Sequence, residues 1–137
     1  MIKLIVGKKG SGKTKTLIDL VNAALGTTNG SVVCIEKGNK LNFEINYQCR
    51  LIDTDEYLIT DGQSLFGFIA GILASNHDVT DLFVDSALKI CQNNTESFDV
   101  FLNELEALVK THDINCVITS SLAVEEASDT VKKFIAE

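Results

Sequence analysis

The apolar positions of this chain form two alternating kinds of pattern, and that alternation sets the expected architecture. Short, nearly continuous apolar runs occupy 2–6, 32–35, 82–84 and 116–118. Runs of this kind mark strands buried on both faces of a parallel sheet. Between them, apolar residues recur at helical spacing. The stripe at 17, 18, 21, 24 and 25 predicts a helix over 13–25 closed by Gly26. A capping-box-like Thr60-Asp61-Gly62-Gln63 opens a second helix that runs to about Ser75, where Gly67 and Gly71 share a face suited to close packing. Residues 86–96 read as a short helix or loop, followed by an amphipathic helix with apolar positions at 98, 101, 102, 105, 108 and 109. Leu122, Ala123, Ala127, Val131, Phe134 and Ile135 fit a last helix.

One segment departs from this rhythm. Leu41, Phe43, Ile45, Tyr47, Cys49 and Leu51 alternate with Asn42, Glu44, Asn46, Gln48 and Arg50. Period-two alternation predicts a strand with one wet face, so 32–36 and 41–47 are expected to form a hairpin with an antiparallel edge strand. The expected fold is therefore α/β, a three-layer sandwich around a mainly parallel sheet, in a single domain covering 1–137.

The first strand leads directly into Gly7-Lys8-Lys9-Gly10-Ser11-Gly12-Lys13-Thr14, which matches G-x-x-x-x-G-K-[ST], a phosphate-binding pattern. The pattern has a physical reason. A helix N-terminus carries unpaired N–H groups and partial positive charge, so it favours an anion. The glycines let the backbone wrap a phosphate at torsions or distances that a Cβ would obstruct. Gly7, Lys8, Lys9, Gly10, Ser11, Gly12, Lys13, Thr14 and Lys15 are thus the expected nucleotide-binding residues, with Lys13 reaching the outer phosphates and the Thr14 hydroxyl on Mg²⁺.

Composition narrows the partners. The net charge is −7 and Arg50 is the one arginine, which argues against nucleic acid as the main partner. The basic cluster at Lys8, Lys9, Lys13 and Lys15 sits on the glycine-rich loop itself, where bound nucleotide would consume its charge. Cys34, Cys49, Cys91 and Cys116 show no metal-binding spacing and read as free thiols, and His77 and His112 form no cluster. No apolar run approaches the roughly 20 residues that span a bilayer. No signal-peptide pattern opens the chain, so a cytoplasmic location without membrane contact is expected.

The glycine-rich loop, a strand ending in Asp85 and a strand ending in Thr119-Ser120 together resemble the P-loop NTPase superfamily, in its RecA-like and AAA-like branch. The resemblance implies the strand order 2–6, 115–119, 80–84, 32–36, with 41–51 added at the edge. It implies ATP and Mg²⁺ as ligands, Asp85 as the metal-side carboxylate and Ser120 as a γ-phosphate sensor. Ser86 stands where many members carry a catalytic glutamate. Glu36, which ends the strand after the first helix, is then the candidate base. Lys8 stands where the MinD and ParA family places an intermonomer lysine. No N-K-x-D motif points to guanine. The implied activity is slow Mg-dependent ATP hydrolysis, with a second copy or a partner protein supplying an arginine. The alternatives are a non-hydrolysing nucleotide-sensing module and, less favoured with one arginine, a small-molecule kinase.

Overall fold

The computed structural model describes residues 1–42 and 44–135. Phe43 of the alternating segment, with Ala136 and Glu137, lies outside them. Five strands form one sheet: β1 (Ile2–Gly7), β2 (Ser31–Glu36), β3 (Arg50–Asp53), β4 (Val79–Val84) and β5 (Asn115–Ser121), in the order β1-β5-β4-β2-β3. Every pairing is parallel. The first four positions of that order agree with the expected one.

Helices lie on both faces because successive strand residues point to opposite sides. Val33, Ile35, Leu82, Val84, Cys116 and Ile118 face a larger core with α2 (Gly62–Ser75), α3 (Ala87–Ile90), α4 (Thr95–His112) and α5 (Asp129–Phe134). Val32, Cys34 and Phe83 face a smaller core with Leu17 and Val21 of α1 (Lys13–Thr27). Leu41, Ile45 and Cys49 complete that smaller core. A single helix and an irregular segment therefore do on one face what four helices do on the other.

That segment overturns the expected antiparallel edge strand. Strand β3 is only Arg50–Asp53 and runs parallel to β2, pairing Val33 with Arg50 and Glu36 with Asp53. A parallel neighbour requires the chain to travel back along the sheet, so 37–49 is a crossover rather than a hairpin. It turns repeatedly: Glu44 and Ile45 N–H donate to the Leu41 carbonyl at 3.1 and 3.2 Å, and Cys49 N–H donates to Asn46 at 3.0 Å. The misleading feature is arithmetic. An alternating pattern also contains every fourth residue, and Leu41, Ile45 and Cys49 are buried while Tyr47 is 91% exposed.

Two helices also differ from expectation. Leu122 N–H donates to the Gly7 carbonyl at 3.0 Å, which holds 122 against the sheet end. The last helix accordingly begins only at Asp129, where the Ser128 hydroxyl caps the Val131 N–H at 3.1 Å. In α2, Gly67 and Gly71 face open space, so they mediate no close packing. The tight approach is at Gly62, where a Cβ would come within 2.5 Å of the Ser97 carbonyl of α4. The cap is one residue later than the pattern suggested, with the Asp61 carboxylate accepting from Ser64 N–H at 2.7 Å.

The crossover is thus a core layer, and point mutants distinguish it from an edge strand. Ile45→Ala is expected to lower unfolding free energy by roughly 2–5 kcal/mol, and Tyr47→Ala to change it by no more than about 0.5 kcal/mol. Denaturant unfolding of both checks this. Equal losses at 45 and 47 would restore the alternating strand.

Candidate functional site

The C-terminal ends of β1, β4 and β5 meet the start of α1 at one edge of the sheet, where open parallel sheets place ligands. Between β1 and α1, Gly10 and Gly12 have φ of +86° and +89°, in the left-handed region that glycine enters without strain. Gly7 is required for a different reason, since a Cβ there would lie 2.5 Å from the Ser11 hydroxyl oxygen. Gly12 is the N-cap of α1, and no side chain caps that helix end. The first-turn N–H groups thus lack a side-chain acceptor. Lys13 curls over the loop, its Nζ donating to the Lys8 carbonyl at 2.9 Å and to Ser11 Oγ at 3.4 Å.

Asp85 follows β4 and is 7% exposed. Three hydroxyl groups converge on its carboxylate. Thr119 Oγ1 donates to Oδ1 at 2.6 Å, Thr14 Oγ1 donates to Oδ1 at 3.3 Å, and Ser86 Oγ donates to Oδ2 at 3.4 Å. Thr119 Oγ1 also accepts the Ser86 N–H at 2.9 Å, fixing the turn after β4. Among the described residues no Lys, Arg or His forms an ion pair with Asp85. A buried carboxylate held by neutral donors alone is electrostatically suited to a cation. Among the described residues no group of three or more His, Cys, Asp or Glu side chains is arranged to hold a metal ion by itself. One carboxylate and one hydroxyl leave most of a coordination shell open, which is the donor set that Mg²⁺ accepts when phosphates and waters supply the rest.

A cavity of about 540 Å³ opens beside this pair. Lys9, Gly10, Gly12, Lys13, Thr14 and Lys15 line one part of it, and Lys40, Ser86, Leu88, Lys89, Asn93 and Ser121 the remainder. The sequence-predicted residues Gly7, Lys8 and Ser11 belong to the loop but do not line the cavity. Arg50 does not line it either, since it begins β3 at the end of that strand remote from Asp53.

Two expected residues are directed elsewhere. Ser120 is fully buried and its hydroxyl accepts the Leu88 N–H at 3.3 Å. The cause is strand parity: Cys116, Ile118 and Ser120 share the larger-core face, and Val117, Thr119 and Ser121 share the other. Thr119 and Ser121 are accordingly the residues that reach the site, and counting alternate positions forward from Ile118, which puts Ser120 on the core face, is the signal that identifies them. Glu36 is 2% exposed, and its two carboxylate oxygens accept the N–H groups of Lys40 at 3.2 Å and Leu41 at 3.1 Å. It fastens the start of the crossover. Lys40 and Lys89 are turn lysines that no periodic pattern distinguishes.

Comparison with models of known protein families and with curated proteins finds no match to this chain. No helix among the described residues is long and apolar enough to cross a membrane.

Burial raises the Glu36 carboxyl above its ordinary value of 4.5, against the lowering effect of its hydrogen bonds from Leu41 and Lys40. A raised folded-state value means the native protein holds this proton more tightly than the unfolded chain does. Its stabilising effect is full below about pH 4.5 and is lost as pH rises through the folded-state value. Denaturant unfolding of wild type and Glu36→Gln between pH 4 and 7 is therefore expected to shift steadily in favour of Gln as pH rises. A flat difference would mean that burial does not govern this group.

Proposed function

We propose that the chain binds Mg·ATP at the glycine-rich loop and hydrolyses it slowly. The observation that carries this reading is the meeting of Thr14 and Asp85, separated by 71 residues in sequence and by 3.3 Å in space, beneath a loop whose helix start has no side-chain cap. The backbone N–H groups around Gly10 and Gly12 would receive phosphate oxygens, and Lys13 would exchange the Lys8 carbonyl for the outer phosphates. Thr14 and Asp85 would hold Mg²⁺, whose charge would offset that of the phosphates. Thr119 and Ser86 would keep the Asp85 carboxylate oriented toward it, the supporting role that hydrogen bonds play around metal-ligating carboxylates.

Slow turnover follows from what surrounds the remaining space. Among the described residues no Asp or Glu side chain lines the cavity, and Glu36 is committed to the Lys40 and Leu41 N–H groups. An attacking water would therefore meet lysines and hydroxyls rather than a carboxylate base. The same observation favours a second reading, a nucleotide-sensing module that binds without hydrolysing. Turnover well below the roughly 10 s⁻¹ median of enzymes suits the first, and none at any protein concentration suits the second.

At a hundredfold excess over Kd, Mg·ATP is expected to stabilise the protein by about 2.7 kcal/mol, a rise in melting temperature on the order of 10 °C. Lys13→Ala is expected to abolish most of that rise. Unchanged melting of wild type in excess ATP, ADP and GTP would refute the nucleotide reading.

Asp85→Asn tests the metal separately. Its ATP affinity is expected to fall at least tenfold in Mg²⁺ and much less in EDTA, as measured by calorimetric titration. Equal losses in both conditions would make Asp85 a purely structural residue.

A further inference from the structure

The cavity holds more positive charge than the glycine-rich loop accounts for. Five of the eleven lysines of a chain with net charge −7 line it, and among the described residues no carboxylate side chain does. Lys9, Lys13 and Lys15 belong to the loop and the first turn of α1. Lys40 and Lys89 come from elsewhere, the crossover after β2 and the short helix after β4. Like charges gathered in one concavity repel each other and raise the local potential. Their shared occupant must be strongly anionic.

Both lysines are mounted on fixed backbone. The Lys40 N–H is held by Glu36, and the next residue, Leu41, is 2% exposed in the smaller core. Lys89 is the exposed residue of a turn whose neighbours Ala87, Leu88, Ile90 and Cys91 are all buried. That turn is bracketed by left-handed residues, Ser86 at φ 58° before it and Gln92 and Asn93 at 56° and 59° after it. Non-glycine residues in this region store backbone strain, which persists where the surroundings over-determine the conformation and clusters around ligand sites.

We infer that Lys40 and Lys89 clamp the terminal phosphate of a nucleoside triphosphate, making this site selective for triphosphate over diphosphate and supplying in cis the positive charge that other nucleoside triphosphatases take from arginine. This rests on the nucleotide reading above. The loop N–H groups receive the inner phosphates that ATP and ADP share, and Lys13 reaches the outer phosphate of either nucleotide. The two added lysines have a partner only when the third phosphate is present, because the loop already neutralises the rest. Arg50 lies away from the cavity, so among the described residues lysines alone supply its cationic side chains.

The test is calorimetric titration of Mg·ATP and Mg·ADP into wild type, Lys40→Ala, Lys89→Ala, the double variant and Lys110→Ala, an exposed lysine on α4 away from the site. Wild type binding both nucleotides establishes the site itself. Wild type binding neither would overturn the nucleotide reading before any variant is considered. Given binding, each single variant is expected to lose roughly tenfold in ATP affinity, as for one charged hydrogen bond, with ADP changing less than twofold. Lys89→Arg is expected to retain most of the ATP preference. Melting without ligand checks that each variant folds, and both positions are exposed enough that no change is expected. Equal losses for ATP and ADP would show a diffuse field rather than a clamp and overturn the inference. So would ATP affinity that survives the double variant, or losses matched by Lys110→Ala.

Discussion

The carboxylate of Asp85 is the constraint around which the site is built. Burying a charge costs several kcal/mol unless polar partners replace the lost water. Here Thr14, Thr119 and Ser86 provide three hydroxyls, one from α1, one from β5 and one from the turn that follows β4. Three elements that are distant in sequence are thereby joined at one atom group. Thr119 goes further, accepting the Ser86 N–H and so setting the left-handed turn from which α3 departs. The cavity thus has, beside it, one carboxylate surrounded by neutral donors, and five lysines among the side chains that line it.

The two sides of the sheet solve burial differently. One face uses four helices. The other has α1 alone, and the remaining apolar surface of β2 and β4 is covered by Leu41, Ile45 and Cys49 from a segment without regular structure. Such a segment must satisfy its own backbone, which explains why a strand-end carboxylate is turned toward it. Glu36 occupies an acceptor role that a helix or ladder would otherwise fill. The same economy puts a cavity-lining residue, Lys40, directly beside a core residue.

Much of this was legible in the sequence because the strongest signals were long-range in effect but local in form. Four buried strands announced themselves as short apolar runs, and the glycine-rich octapeptide fixed where the first helix begins. Asp85 was identifiable by its place at the end of such a run. The misreadings have physical causes. In 41–51 the period-two pattern contained a period-four one, and only the direction of β3 decides between them. At 119–121 three hydroxyl residues stand in a row, and parity rather than residue type selects Thr119. Lys40 and Lys89 carry no periodic signature because their role depends on where two unrelated turns come to rest. Glu36 was correctly placed at a strand end, but its hydrogen bonds run to backbone only four and five residues ahead.

The strand order has a consequence for how the protein is made. Among the described residues the one strand paired with β1 is β5, with Ile2 paired to Cys116 and Gly7 to Ser121. The glycine-rich loop therefore leaves the ribosome well before the strand that supports it. Contacts spanning so much sequence are slow to form, because the intervening chain must be ordered first. Until 115–121 is in place, neither the loop nor the hydroxyl that orients Asp85 has its partner, so the site is closed by the final strand rather than nucleated by the first. The glycine-rich loop and the buried carboxylate therefore gain their setting in a single event, the docking of β5 between β1 and β4.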